Sequence, residues 1–350
     1  MNEKQDAKKD IRSMTLGELT EEMETIGEKA FRAKQIYQWM HEKLAEEFDD
    51  MTNLSKTLRE KLKETYRIPR MNVVSVLESA DKDTKKYLFE LEDGNVIESV
   101  WMRYHHGNSV CISSQVGCRM GCRFCASTLL GLERNLLPSE MLGQIYAIQK
   151  ETKERVSNVV VMGTGEPLDN YENLLRFIYL LSGEHGLHIS QRNITVSTCG
   201  IVEKIKELAK EHLQITLAIS LHAPNTEKRR ELMPVAYRYS VEELLAACKE
   251  YFEETGRRIS FEYSLVAGVN DNRKEAMELA GLLKGFPCHV NLIPVNPIKE
   301  RSYTHSDRKE IEAFKLILEK NRINVTIRRE MGADINAACG QLRKSYMEKK

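Results

Sequence analysis

From residue 109 onward the chain repeats one unit, an apolar strand-like run, a polar or glycine-rich turn, then an amphipathic helical stretch. The runs 109–115, 157–163, 191–198, 214–221, 257–266 and 289–295 read as strands. The stretches 138–152, 171–182, 201–212, 240–255, 272–284 and 306–321 read as helices. Strands that alternate with helices in this way form a parallel sheet with right-handed crossovers. Six units fall short of the closed eight-fold form. The expectation is therefore an α/β fold, a partial and open (β/α)6 barrel finished by a strand at 323–328. In parallel barrels the reactive groups gather at the C-terminal ends of the strands. Five of those ends carry unusual residues: the loop Cys118–Cys125, Gly163-Thr-Gly165-Glu166-Pro167, Ser197-Thr-Cys-Gly200, Ser220-Leu221-His222 and Asn296-Pro297.

The chain before that repeat has a different texture. Segment 28–47 places Ala33, Ile36, Tyr37, Met40 and Leu44 at helical spacing, segment 52–66 does the same with Leu54, Leu58 and Leu62, and Pro69 closes the second. Strand-like runs follow at 73–77, 86–91 and 96–102, the last two joined by the turn Glu92-Asp93-Gly94-Asn95. The expected organisation is a small helical accessory domain over 1–70, a candidate for RNA binding, a short β extension over 71–108, and a catalytic core over 109–345 ending in a cysteine-bearing loop.

Composition narrows the setting. With 52 basic and 52 acidic residues the formal charge is zero, so net charge lends no support to nucleic-acid binding and any basic surface must be local. Local candidates are Arg119, Arg123, Arg134, Lys228-Arg229-Arg230 and Arg328-Arg329. No stretch approaches the roughly 18 apolar residues of a membrane span. The start, Met1-Asn-Glu-Lys-Gln-Asp, is not that of a secretory signal. Eight cysteines without a regular paired framework fit a reducing cytosol, and a cytoplasmic protein is expected.

The cysteines carry the chemistry. Cys118-Arg-Met-Gly-Cys122-Arg-Phe-Cys125 supplies three thiols from one loop. Structural zinc usually takes paired C-x-x-C units or a Cys pair with a His pair, and no second pair exists here. A [4Fe–4S] cluster held by three cysteines leaves one iron without a protein ligand, able to bind a chelating substrate. The run, with Phe124 beside the last cysteine, resembles the signature of the radical S-adenosylmethionine (SAM) enzymes. Gly165 offers a bare backbone for close approach of a ligand, and Glu166 can accept hydrogen bonds from an ammonium group. By residue type alone Cys111 reads as strand core. Cys339 lies among small residues in a loop where a thiol could stay reachable, and Glu98 reads as a solvent-facing strand residue. Cys199, Cys248 and Cys288 read as packing or receive no role.

Longer motifs extend the resemblance. Cys111-Ile-Ser-Ser-Gln-Val-Gly-Cys118, Met162-Gly-Thr-Gly-Glu-Pro167, Ser220-Leu-His-Ala-Pro-Asn225, Asn291-Leu-Ile-Pro-Val-Asn-Pro297 and Asp334-Ile-Asn-Ala-Ala-Cys-Gly-Gln-Leu342 closely resemble the RlmN family, over about residues 10–344 and including the helix Phe31-Arg-Ala-Lys-Gln-Ile-Tyr-Gln-Trp39. That family methylates carbon 2 of an adenosine in the peptidyl transferase centre of 23S rRNA and of the adenosine 3′ to the anticodon in tRNA. The resemblance implies that Cys118, Cys122 and Cys125 hold the cluster. It implies that Gly165, Glu166, Ser197, Ser220, Leu221, His222 and Asn296 line the SAM site. Cys339 would carry the methyl as S-methylcysteine, Cys111 would resolve it through a transient disulfide, and Glu98 would accept the ring proton. Two SAM molecules would be consumed per turnover, with electrons from a reductant such as flavodoxin, by a monomeric enzyme. Carbon 2 of adenine is electron-poor and will not attack a sulfonium methyl, which is why a radical route with a carrying and a releasing thiol is needed. The related Cfr-type enzymes, which modify carbon 8, are the alternative. Gly165-Glu166-Pro167 favours the carbon-2 group.

Overall fold

The structure, a computed structural model, describes residues 8–296, 303–329 and 331–335. The chain opens with a short strand β1 (Lys9–Asp10), then helices α1 (Leu16–Thr25), α2 (Phe31–His41) and α3 (Lys56–Thr65), and β2 (Tyr66–Arg67), which pairs in parallel with β1. Local chemistry sets the helix starts. The Thr15 hydroxyl accepts from the Glu18 N–H while the Glu18 carboxylate accepts from the Thr15 N–H, and Ser55 caps α3 through the Leu58 N–H. Helix α1 was not among the sequence expectations, and the helix expected over 28–47 is only α2, with Leu44 in a left-handed turn just beyond it.

Next come β3 (Asn72–Glu78), β4 (Thr84–Glu90), β5 (Val96–Met102) and β6 (Asn108–Ile112), each antiparallel to the one before. A small hairpin, β7 (Gln115–Gly117) with β8 (Leu132–Asn135), encloses the cysteine loop. The repeat then runs α4 (Pro138–Thr152), β9 (Val156–Val161), α5 (Tyr171–Ser182), β10 (Ile194–Thr198), α6 (Val202–Lys210), β11 (Thr216–Ser220), α7 (Thr226–Leu232), α8 (Val241–Thr255), β12 (Ile259–Leu265), α9 (Arg273–Leu282), β13 (Cys288–Pro294), α10 (Arg308–Lys320) and β14 (Asn324–Ile327).

One ten-stranded sheet holds these strands in the order β14-β13-β12-β11-β10-β9-β6-β5-β4-β3. From β6 to β14 every neighbouring pair is parallel. This is the expected open (β/α)6 barrel with a seventh parallel strand, and its edges β14 and β3 do not pair with each other. The antiparallel strands β3–β5 continue its wall, because β5 pairs with β6 in the register Val100↔Cys111.

Side-chain alternation assigns the two faces of that wall. Tyr87, Phe89, Ile97, Trp101, Val110 and Ile112 join the main apolar core under the helices, and the Ser99 hydroxyl donates to Gln144 Oε1 on α4. The intervening residues Lys86, Leu88, Glu98, Val100 and Cys111 therefore face the other way, into the barrel. The same core also contains Ile11, Leu19, Ile36, Met40, Leu58 and Leu62, so the N-terminal helices and the barrel are packed on one another.

Candidate active site

The first parallel strand, β6, delivers the chain to the mouth of the barrel, where Ser113 and Ser114 bond to the loop leaving β9: the Thr164 N–H donates to Ser113 Oγ (3.0 Å) and the Ser114 N–H to the Thr164 carbonyl (2.9 Å). The cysteine loop follows. Gly117 turns into it with a left-handed backbone (φ +77°), and a Cβ there would stand 1.9 Å from the Gly131 carbonyl oxygen. The loop is tied by its own backbone. Cys118 N–H donates to Gly131 O (2.9 Å), Cys125 N–H to Cys122 O (3.2 Å), Thr128 Oγ1 to the carbonyls of Cys122 (3.2 Å) and Cys125 (3.0 Å), and Arg123 N–H to Leu232 O at the end of α7 (2.9 Å).

All three loop cysteines are free thiols, Cys118 and Cys122 buried and Cys125 half-buried. Burial pushes the Cys118 thiol up to about 12, with Cys125, Glu166 and Asp169 adding to the rise. Burial raises Cys122 and Cys125 as well, Cys122 further through its two neighbouring thiols and Glu166. Thiols so placed ionise when a bound cation stabilises the thiolate, a charge that the iron of a cluster would supply. Among the described residues no three His, Cys, Asp or Glu side chains are grouped to hold a single metal ion. Three thiols on one loop without a second Cys or His pair form a donor set that fits a [4Fe–4S] cluster better than zinc.

The loop after β9 closes one side of the mouth. The sequence suggested that its glycines admit a ligand, but the structure gives a nearer reason. Gly165 has φ +112°, and a Cβ there would lie 2.7–2.8 Å from Gln115 and Ser114. The bare backbone is needed for packing against the turn from β6 into β7. Glu166 is buried, and burial raises its pKa. Its Oε1 accepts from Leu168 N–H (3.0 Å) and its Oε2 from Cys199 N–H (2.7 Å), which ties the β9 loop to the end of β10. A carboxylate has further lone pairs beyond these two bonds for a ligand ammonium.

The remaining strand ends lie beside it. Ser197 and Ser220, on β10 and β11, have hydroxyls 3.5 Å apart. Leu221 is fully buried, and its N–H donates to Glu262 O (3.0 Å). His222 has a left-handed backbone (φ 56°) and its Nδ1 accepts from Ser264 N–H (2.9 Å). Burial and then the Arg229 charge hold the imidazole down at about 3, so it is neutral. The Phe124 ring from the cysteine loop meets it edge-on at 4.9 Å, which brings that loop and the end of β11 together. Asn296 is exposed just past β13, and no contact from it to the other site residues is among the described bonds. Cys339 lies outside the described residues.

Sequence reading missed Arg229. Grouped with its neighbours it looked like a surface phosphate binder, yet its side chain is fully buried. Its Nε donates to Leu221 O (3.1 Å) and its Nη2 to the carbonyls of Ser220 (3.0 Å) and Cys199, bracing the ends of β10 and β11. Other expected basic groups also have protein partners: Arg119 pairs with Asp169, Arg134 with Asp93 and Glu140, and Lys228 with Glu275. Arg123, Arg328 and Arg329 are exposed.

Glu98 is the clearest reversal. The sequence placed it toward solvent, but it is 4% exposed on the inner wall and its Oε2 lies 3.4 Å from Lys86 Nζ. Cys111, also buried, sits on the same face next to Val100, with Val160 of β9 on its other side. A carboxylate, an ammonium and a thiol thus share one wall of the barrel. Cys199 packs with Cys122, Leu232 and Met233, in line with the packing role expected of it, and Cys248 is buried in α8.

Comparison with known proteins agrees with this geometry. The profile of the ribosomal RNA large subunit methyltransferase N-terminal domain matches residues 9–68, and that of the radical SAM superfamily matches residues 112–280. A probable dual-specificity RNA methyltransferase RlmN of Lachnospira eligens is 66% identical over 97% of this chain and 97% of its own length. Its counterpart in Clostridium novyi is 57% identical over 97% of this chain and 99% of its own. The crystal structure of a radical SAM methyltransferase from Sphaerobacter thermophilus superposes with a TM-score of 0.92 at 44% identity, covering 95% of this chain and 98% of that one.

Proposed function

Because the chain belongs to the RlmN family of radical SAM RNA methyltransferases, we propose that it methylates carbon 2 of one adenosine in the peptidyl transferase centre of 23S rRNA and of the adenosine 3′ to the anticodon in tRNA. Membership brings a [4Fe–4S] cluster and SAM as cofactors. When bound, they supply the methyl group and a carbon radical strong enough to attack an electron-poor ring carbon.

The protein's own residues have separate tasks in this reading. Cys118, Cys122 and Cys125 hold the cluster. Gly165, Glu166, Ser197, Ser220, Leu221, His222 and Asn296 line the SAM site, where the buried Glu166 carboxylate and the neutral His222 ring suit a cationic amino-acid moiety. Cys339 carries the methyl. Cys111 releases the product by attacking the Cys339 sulfur, which leaves a disulfide for a cellular reductant to reopen. Glu98 accepts the ring proton. The barrel wall excludes water from these groups. A small acidic electron carrier such as flavodoxin is the proposed electron source, and a cytoplasmic monomer the proposed form.

The observation that carries this reading is the shared inner wall of Glu98 and Cys111, next in the chain to the cysteine loop. A radical enzyme that only cleaves SAM has no use for a buried acid beside a free thiol. The printed names of the relatives, which specify RNA and dual specificity, support the substrate class.

The deciding experiment is mass spectrometry of rRNA and tRNA from cells lacking and then regaining the protein. 2-Methyladenosine should vanish and return at both sites. 8-Methyladenosine instead would transfer the protein to the Cfr-type group, and no methylated adenine at all would defeat the proposal. C339A should abolish methylation outright.

A further inference from the structure

The wall beside Cys111 holds a cation, Lys86, that none of the tasks above employs. Lys86 of β4 lies directly opposite Val100 of β5, and Val100 lies opposite Cys111 of β6. Residues opposed in register point to the same face, so the lysine and the thiol flank Val100 on the inner wall. Glu98 lies two residues along β5 on that face, and its carboxylate is 3.4 Å from Lys86 Nζ. The two side chains are 1% and 5% exposed. Such burial is a poor device for stability, because the cost of removing both charges from water offsets their attraction. Apolar wall positions such as Leu88 and Val96 show what packing alone would place there. The lysine thus contacts the Glu98 carboxylate and shares the inner wall with the Cys111 thiol.

We propose that Lys86 is a positioning residue for product release, fixing the Glu98 carboxylate and adding to the positive charge against which the Cys111 thiolate forms. The inference rests on the roles given above to Glu98, Cys111 and Cys339. The step it serves is the opening of a carbon bridge between Cys339 and the adenine. The Cys111 thiolate attacks the Cys339 sulfur, and a sulfur–sulfur bond forms as the sulfur–carbon bond breaks. The electron pair of the broken bond stays on carbon, which takes one proton and becomes the methyl group. Two cysteines are oxidised to a disulfide and the carbon is reduced, so the step balances without a further reagent. Burial by itself raises the Cys111 thiol, while the charges of Arg328 and Lys86 and the Met162 N–H act against that rise. Both cations thus favour the thiolate, Arg328 more strongly than Lys86.

The test uses the anaerobically reconstituted full-length enzyme, SAM, a strong reductant and a transcribed tRNA with adenosine 3′ to its anticodon. Denaturing gels give the ratio of covalent protein–RNA adduct to released methylated RNA. With K86Q and K86M this ratio should rise severalfold over wild type, and K86R should restore it. A merely structural lysine would lower adduct and product together. The proposal is overturned if both neutral variants partition as wild type does, or if K86R partitions as they do. It is also overturned if neither neutral variant takes up iron, since Lys86 then serves folding. Wild-type enzyme that forms neither S-methylated Cys339 nor methylated RNA would overturn the functional reading, and this inference with it.

Discussion

Gly165 and Glu98 show how a residue's reason for being can differ from its sequence appearance. The Gly-x-Gly-Glu-Pro run reads as a place for a ligand to approach. A Cβ at Gly165 would lie 2.7 Å from Gln115 Cβ on a φ of +112°, so the demand comes from the protein's own turn between β6 and β7. G165A should therefore destabilise the fold itself, by about 2 kcal/mol from strain and displacement of Gln115. Thermal unfolding of the cluster-free protein would read this directly, and an unchanged midpoint would show that the glycine serves only a ligand. Glu98 erred the other way. In a seven-residue antiparallel strand an acidic residue at an alternating position normally faces water, and nothing local reveals that this strand is the continuation of a barrel wall.

The helices of the N-terminal segment dock through a polar seam as well as an apolar face. Arg12 is buried, with Nη1 donating to Pro69 O (3.0 Å) and Nη2 to Ala45 O (2.9 Å). Asp10 accepts from the Ser139 hydroxyl at the start of α4 (2.5 Å). His41 of α2 is fully buried with Nδ1 2.8 Å from the Tyr146 hydroxyl of α4. Burial, and then the Arg12 charge, lowers His41 to about 3. An unfolded histidine takes up a proton below about 6.5. The folded one does not until about 3, so its contribution is complete above pH 6.5 and is lost as pH falls toward 3. Between those limits H41Q should lose less stability than wild type, the difference closing by about 1.4 kcal/mol per pH unit. Denaturant titrations at several pH values would measure it, and parallel curves would refute it. The shared core also changes what truncation means. Removing residues 1–70 uncovers apolar residues of α4 such as Met141, Ile145 and Tyr146. The truncated chain should aggregate or melt well below the intact one, so RNA binding by this segment is better probed by point changes at exposed Lys34 and Lys43.

At the level of the complete molecule, an open sheet leaves the mouth of the barrel to be lined by loops from many strands, and the cluster loop is folded by its own backbone bonds. C122A should for that reason abolish iron uptake and SAM cleavage while leaving far-ultraviolet circular dichroism unchanged and the melting temperature of the cluster-free protein within a few degrees. Loss of secondary structure would mean that the loop organises the barrel instead of resting on it. Of the basic groups clustered in the sequence, Arg119, Arg134, Lys228 and Arg229 are already bonded within the protein. Arg123, Arg328 and Arg329 of those groups are exposed and open to RNA phosphates.

The βα rhythm, the helices 138–152 and 171–182 to the residue, the three-cysteine loop and its neighbouring strand ends were all legible in the chain, because periodicity and short-range spacing are local properties. The family resemblance came from the same local motifs, and comparison with known proteins bears it out. Helix α1 was lost because its few apolar residues, Leu16, Leu19 and Met23, give a weak pattern that tertiary burial completes. Arg229 looked like surface charge because burial of a guanidinium depends on carbonyls that converge from two distant strand ends. The meeting of Lys86, Glu98 and Cys111 depends on strand register, and register is decided by which strand lies beside which. Only the folded sheet settles that.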